Sequence, residues 1–117
     1  MTRYLRKRLN AFGHAGRGIS VLLAEAHGRI HAAATVLVLL MGFWLGISAT
    51  DWALLTLSIA VVLAAEAINS AMERMVDLVS PQWHPLARDA KDLAAGGVLI
   101  AAIGAAVVGV IVFLPYL

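Results

Sequence analysis

The chain has 117 residues, of which 62% are apolar and 14% charged, with a net charge of +2 and no cysteine. So short a chain cannot bury that much apolar surface inside itself, which excludes an ordinary soluble domain and leaves lipid or other copies of the chain to cover the surplus. The missing cysteines exclude disulfides, thiolate metal sites and cysteine nucleophiles.

The first predicted element is a basic amphipathic helix over residues 1–28. Leu5, Leu9 and Phe12 begin an apolar series that recurs at alternating steps of four and three residues, so that it shares one helical face. Basic residues fall elsewhere on the wheel, as in helices that lie in the membrane interface. The glycine-rich run at residues 13–18, which contains Arg17, is a weak candidate for a phosphate-binding loop. We predict no signal peptide at this basic N-terminus.

Three long apolar runs follow, and each suffices to cross a hydrocarbon core of about 30 Å as a helix. We predict transmembrane helices over residues 30–47, 52–76 and 91–114, and therefore an all-α integral membrane protein that forms a single domain over residues 1–117. The connector between the first two spans allows only a tight turn, which makes them an antiparallel hairpin. Pro81 and Pro85 predict a rigid, non-helical turn before the third span.

The lysines and arginines lie on one side of the three spans. Six of them precede the first span and three lie around the loop between the second and third spans, whereas the first connector and the C-terminal tail carry none. The positive-inside rule then predicts a multi-pass membrane protein with its N-terminus in the cytoplasm and its C-terminus outside.

A polar stripe interrupts the second span. Five residues share one helical face at offsets of 0, 3, 4, 7 and 11, namely Glu66, Asn69, Ser70, Glu73 and Asp77. Glu66 lies about 21 Å along the predicted helix from Trp52, which marks the outer interface, and therefore within the inner leaflet. A carboxylate costs at least about 2.5–3.5 kcal/mol there. We interpret Glu66 as functional, with a buried pairing group that fixes helix assembly as the alternative.

Charged residues near the ends of the other spans extend this pattern. The hairpin brings Glu25 to about the depth of Glu73, and two carboxylates at one depth suit Mg²⁺, which takes oxygen ligands and bridges to phosphates. Arg88 and Lys91 are three residues apart and could face one anionic group, although they also serve as positive-inside anchors. The sequence contains no P-loop or dinucleotide-binding motif, and its histidines lack the spacing of a catalytic zinc site.

Three blocks of the sequence form a family signature. They read EAINSAMERMVD at residues 66–77, SPQWHPLA at residues 80–87 and AKDLAAG at residues 90–96. These blocks resemble the ExxNxAxExxxD, SPxxHPLA and AKDxAAG motifs of the small bacterial diacylglycerol and undecaprenol kinases. The run Arg29-Ile30-His31 resembles the RIH of the undecaprenol-kinase branch, although His27 stands where that branch commonly has Asn.

The resemblance implies a kinase of the bacterial inner membrane that transfers the γ-phosphate of ATP, with Mg²⁺, to the hydroxyl of a membrane lipid alcohol. It implies a homotrimer with sites between protomers, in which Glu66 is the general base and Glu25 and Glu73 hold the metal. The predicted nucleotide and phosphate ligands are Asn69, Lys91, Asp92 and Arg17, and the supporting residues are Ser70, Asp77, His84 and Arg88.

Several alternatives remain open from the sequence. Undecaprenol is the favoured acceptor and diacylglycerol the alternative. A non-enzymatic oligomeric membrane protein, such as a channel subunit, would carry polar residues through the full depth of a span, whereas here the polarity stops about halfway. An assembly module, in which the polar stripe only joins helices, would leave unexplained the cluster of Glu25, Glu73, Lys91 and Asp92. Because three helices are not expected to shelter Glu66 and Asn69 from lipid, we also predict an oligomer on physical grounds.

Overall fold

A computed structural model describes residues 2–117, which are helical almost throughout and contain no strand. The elements are α1 (Arg3–Ala24), α2 (Ala26–Leu45), α3 (Ala49–Val79), α4 (Pro85–Phe113) and a final 3₁₀ turn (Leu114–Tyr116). Three helices, α2, α3 and α4, are long and apolar enough to cross a membrane. The predicted all-α membrane fold is therefore confirmed. Met1, which was included in the predicted first helix, lies outside the described residues.

The first helix is continuous through its glycines. The run at residues 13–18 is helical, so the interpretation of that run as a phosphate-binding loop is wrong. A single helical conformation satisfies its backbone hydrogen bonds internally, and the glycines only lower its intrinsic stability. The helix ends at Ala24, four residues before the predicted boundary, because Glu25 adopts an extended conformation with φ −81° and ψ 150°. The apolar face of α1 is exposed, as at Phe12, which is 75% accessible.

Capping residues set the ends of the hairpin between α2 and α3. Gly46 ends α2 with φ 63°, a left-handed conformation that glycine adopts without steric cost. Ser48 opens α3, since its hydroxyl accepts a hydrogen bond from the Asp51 N–H at 3.1 Å. The helix therefore starts three residues before the predicted position and continues to Val79, three residues beyond the predicted end.

The loop before α4 is shorter than predicted. Only residues 80–84 are irregular, and Pro85 is the first residue of α4, so its assignment to a non-helical turn is wrong. Proline suits this position because its φ is preset for a helix and its missing N–H is not needed in the first turn. Nδ1 of His84 caps the helix by accepting a hydrogen bond from the Leu86 N–H at 3.1 Å.

The helices pack most extensively between α3 and α4. The apolar core lies where the N-terminal end of α3 meets the C-terminal end of α4, and there Leu55 packs with Val112, Phe113 and Ile47. The predicted antiparallel hairpin of α2 and α3 is confirmed, because α3 begins beside the end of α2. At that point a Cβ on Gly42 would lie 2.7 Å from the Trp52 ring, so this close approach requires glycine.

Candidate functional site

Three polar residues of α3 are buried in its C-terminal half. The exposed fractions are 4% for Glu66, 9% for Asn69 and 6% for Ser70. The expectation that three transmembrane helices leave Glu66 and Asn69 unsheltered is therefore wrong. A single chain covers them because the junction between α1 and α2 also packs against α3 at this level, where Leu22 and Gly28 are buried.

Glu66 has a partner on the neighbouring helix. Its Oε2 lies 3.2 Å from Nε2 of His31 on α2, and the Glu66 side chain is only 5% exposed. This contact gives a buried carboxylate a polar partner that lipid does not supply. Sequence reasoning assigned no role to His31, although the Arg29-Ile30-His31 block had marked the position.

Glu25 lies at the break between α1 and α2, and its carboxylate receives two donors from α3. The Ser70 hydroxyl donates to Oε2 at 2.6 Å, and Nη1 of Arg74 lies 2.7 Å from Oε1. The Ser70 hydrogen bond, followed by the Arg74 guanidinium, holds the pKa of the Glu25 carboxyl below its ordinary value. These contacts confirm the predicted depth of Glu25, since Ser70 and Arg74 lie on either side of Glu73 in α3.

Asn69 and Glu73 interact with each other along α3. Nδ2 of Asn69 donates to Oε1 of Glu73 at 3.3 Å. Oδ1 of Asn69 is buried and has no hydrogen-bond partner in residues 2–117. An unsatisfied buried acceptor costs about 1–3 kcal/mol. Such an acceptor is typical of a functional site rather than of helix packing. Glu73 itself is exposed.

A second cluster of polar residues lies beyond the buried ones, where the end of α3 meets the start of α4. Nζ of Lys91 lies 2.5 Å from Oδ1 of Asp77, and Nε of Arg88 lies 3.7 Å from Oδ2 of Asp92. The two cations thus have separate carboxylate partners, and an anion shared between them would have to join or displace these pairs. Both pairs are largely exposed, so each contributes at most about 1 kcal/mol to stability.

Two clefts collect most of the predicted site residues. The first, of about 580 Å³ between α1 and α3, is lined by residues that include Arg17, Glu25, Ser70 and Arg74. The second, of about 350 Å³ at the loop before α4, is lined by residues that include Asp77, His84, Arg88, Lys91 and Asp92. The predicted residues therefore form two groups in one chain rather than a single cluster.

No group of three or more His, Asp or Glu side chains in residues 2–117 is arranged to hold a metal ion. Glu25 nevertheless already binds a cation, the Arg74 guanidinium, and its carboxylate is the hard oxygen ligand that Mg²⁺ prefers. Glu25 therefore fits a magnesium ligand in its chemistry, and a second carboxylate or phosphate oxygens would complete the coordination.

Arg74 is the site residue that sequence reasoning treated only as a topological anchor. It lies eight residues after Glu66 and directly after Glu73, so it borders the polar stripe on a helix. That position was a usable signal. The contact with Glu25, however, depends on the break between α1 and α2, which helical periodicity does not reveal.

Comparison with known proteins identifies relatives of the whole chain. The model of the family described as prokaryotic diacylglycerol kinase matches residues 13–113. An undecaprenol kinase of Bacillus subtilis is 40% identical over 114 residues, which covers 97% of this chain and 93% of the relative. A diacylglycerol kinase of Synechocystis is 40% identical over 92% of this chain and 62% of the relative. The diacylglycerol kinase of Escherichia coli K12 is 33% identical over 85% and 82%.

These matches span both the buried carboxylate of α3 and the clefts beside it, and they confirm the resemblance seen in the sequence blocks. The non-enzymatic readings are thereby set aside. The chain belongs to the prokaryotic diacylglycerol kinase family, and it is a bacterial membrane-embedded lipid kinase that uses a nucleotide phosphate donor.

Proposed function

We propose that this kinase transfers the γ-phosphate of ATP to the hydroxyl of undecaprenol at the cytoplasmic face of the membrane. The observation that carries the proposal is the buried Glu66 carboxylate, held by His31 at 3.2 Å in the half of α3 that faces the charged ends of the helices. Such a carboxylate lies where a hydroxyl from the leaflet and a nucleotide from the cytosol would meet.

Glu66 acts as the general base in this proposal. The contact with His31 engages Oε2, so the other carboxylate oxygen can accept the proton of the lipid hydroxyl. The deprotonated oxygen then attacks the γ-phosphorus, and ADP leaves. Phosphoryl transfer asks the protein chiefly for positioning and charge neutralisation, so the remaining residues have binding roles.

Glu25 and Glu73 are the proposed ligands of Mg²⁺. Bound magnesium supplies positive charge to the nucleotide phosphates. Glu25 is held in place by the Ser70 hydroxyl at 2.6 Å, and Glu73 by the Asn69 amide at 3.3 Å. Ser70 is thus a supporting residue of the metal site. Asn69 orients Glu73 and keeps its free Oδ1 for the nucleotide.

The phosphate ligands belong to both clefts. Arg17 lines the cleft with Glu25, whereas Lys91 and Asp92 line the cleft at the loop before α4. Asp77 supports Lys91 through their ion pair, His84 fixes the start of α4, and Arg88 pairs with Asp92. Separation of these two groups within one chain supports a homotrimer in which neighbouring protomers complete each other's sites.

The acceptor is the less constrained half of the proposal. The undecaprenol kinase of Bacillus subtilis matches over nearly the full length of both chains, and the RIH block at residues 29–31 points to the same branch. Diacylglycerol is the second candidate, because the relatives in Synechocystis and Escherichia coli are diacylglycerol kinases. Membrane orientation follows the distribution of lysine and arginine, with the N-terminus and the active site in the cytoplasm.

The test follows labelled γ-phosphate from Mg-ATP to undecaprenol and to diacylglycerol, presented in parallel in the same detergent micelles. We expect faster labelling of undecaprenol and none by a Glu66→Gln protein that retains its helical content and oligomeric state. Faster labelling of diacylglycerol would leave the mechanism in place and replace the acceptor. If neither lipid is labelled by an intact wild-type oligomer, the proposal is wrong.

A further inference from the structure

The Arg74 side chain bridges two features of the cytoplasmic half. Its Nη1 lies 2.7 Å from Oε1 of Glu25 and 3.4 Å from the Ser70 carbonyl oxygen, so the guanidinium folds back along α3 toward the helix break. The Arg74 side chain is 58% exposed, and that of Glu25 is 27% exposed. A guanidinium this accessible is free to move without disturbing the packing of α3.

The Glu25 carboxylate cannot serve two cations equally well. If Glu25 binds Mg²⁺, the ion and the Arg74 guanidinium compete for the Glu25 carboxylate, where Arg74 contacts Oε1, and they repel each other at contact distance. Arg74 then needs another anion within reach. The triphosphate that accompanies the ion provides one, because a guanidinium binds phosphate oxygens in a bidentate geometry.

The cleft has the dimensions and the charge for such an exchange. Its volume is about 580 Å³, within the roughly 300–1,000 Å³ of small-molecule sites. Arg74 on α3 and Arg17 on α1 both line it, and His14 lies beside Arg17 on the α1 side. Two guanidinium groups from different helices thus border one space, with the proposed metal ligand Glu25 between the helices.

We propose that Arg74 is a phosphate-binding residue that exchanges Glu25 for the phosphates of the nucleotide, while Glu25 exchanges the guanidinium for the metal ion. The inference rests on the proposed function, since it takes Glu25 as a magnesium ligand. It assigns Arg74 two opposed effects. The guanidinium competes with the bare ion for Glu25, and it helps to bind the nucleotide that carries the ion.

The test compares the wild type with Arg74→Ala and Arg74→Lys, and it uses Lys7→Ala on α1 as a control that removes a distant exposed cation. Binding of Mn²⁺ alone is counted by electron paramagnetic resonance of the free ion. Binding of a non-hydrolysable ATP analogue with Mg²⁺ is measured by calorimetry in micelles. The kcat and the KM for ATP are measured with the lipid acceptor.

We expect Arg74→Ala to bind Mn²⁺ alone about three- to tenfold more tightly and the Mg-nucleotide analogue about tenfold more weakly, with kcat reduced about 10- to 100-fold. Arg74→Lys should recover part of the nucleotide binding, because it keeps the charge but loses the bidentate geometry. Lys7→Ala should match the wild type in all three measurements.

Two results would overturn the inference. Unchanged metal and nucleotide binding in Arg74→Ala would reduce Arg74 to a topological anchor. Weakened binding of both Mn²⁺ and nucleotide would show that Arg74 only holds Glu25 in position. If the wild type fails to phosphorylate any lipid while Arg74→Ala shows the opposed binding effects, the proposed function fails and the exchange at Glu25 stands.

Discussion

The two ends of α3 bury side chains of opposite character, apolar at one end and polar toward the other. At the N-terminal end of α3, Leu55 is 3% exposed and packs with Val112 and Phe113 in a core without charge. A side-chain hydrogen bond between elements there joins the Tyr116 hydroxyl to Asp51 at 2.9 Å. In the C-terminal half of α3 the buried side chains are instead Glu66, Asn69 and Ser70, along with Val76.

The difference shows how a small membrane enzyme tolerates buried polarity. Close apolar packing of α3 against α4 around Leu55 holds the helices together, so the C-terminal half of α3 can bury groups that favour association less. There, Glu66 and Ser70 each contact a side chain from α2 or from the helix break, and Oδ1 of Asn69 is a fully buried atom without a hydrogen-bond partner among residues 2–117. Lipid provides no alternative partner, so these contacts are required for burial.

The largest expected effect distinguishes a carboxylate that acts in catalysis from one that only makes structural contacts. Glu66→Gln should lower kcat about 10²- to 10⁴-fold, because an amide cannot accept the proton of the lipid hydroxyl. The matched change at the other end of the same helix, Asp51→Asn, should alter kcat less than about twofold, because Ser48 and Tyr116, which Asp51 contacts, both lie at that end. The measurement is kcat in micelles for both proteins, and an equal loss in the two would contradict the division of roles.

The next effect tests how Glu66 is oriented. His31→Leu should lower kcat about 10- to 100-fold with a smaller change in the KM for ATP, because the carboxylate loses the donor that aims it. His31→Gln retains an N–H donor and should recover most of that loss. Steady-state kinetics of the two variants test this prediction. Equal losses of kcat in His31→Gln and His31→Leu would show that the His31 ring acts through its shape alone.

A change in the apolar core at the N-terminal end of α3 should affect stability without affecting chemistry. Leu55→Ala should lower the free energy of unfolding by about 1–2 kcal/mol, less than in a water-soluble core, because lipid already solvates exposed apolar groups and only the lost packing counts. Leu57→Ala, two residues away at a position 66% exposed, is the control and should cost almost nothing. Unfolding in a detergent titration measures both, and similar costs would argue against a packed core around Leu55.

The smallest effect is a dependence on pH at the helix break. The Ser70 hydroxyl and then the Arg74 guanidinium lower the pKa of Glu25 from 4.5, so folding favours its ionised form. The resulting stabilisation is fully present above pH 4.5 and is lost as the pH falls through the lowered pKa of the folded protein.

This pH dependence should be less than about 1 kcal/mol, because the pair is partly exposed and screened. Hydrogen exchange at the junction of α1 and α2, corrected for intrinsic rates, should show the loss of protection below pH 4.5 in the wild type. Glu25→Gln should show no such change, and a matching loss in that variant would assign the effect to another group.

Apolar length and helical periodicity were sufficient to predict the spans and the polar face of α3. Apolar length predicted the three spans, and the spacing of Glu66, Asn69 and Ser70 predicted a shared face, which the structure buries. Boundaries were less accurate where capping decided them. Ser48 and Pro85 both start helices earlier than the apolar runs do. The prediction that Glu66 and Asn69 needed a second chain for shelter failed, because it ignored the segment around the helix break.

The sequence by itself determined the membrane class, the number of spans and the residue types of the site, because apolar length and helical spacing are properties of a single segment. The tertiary structure decided which groups meet. Glu25 reaches Ser70 and Arg74 only because the chain turns extended between α1 and α2, and His31 reaches Glu66 only through the packing of α2 on α3. Contacts between helices depend on where each helix breaks and on how the helices pack. The spacing of residues within one helix predicts neither of these.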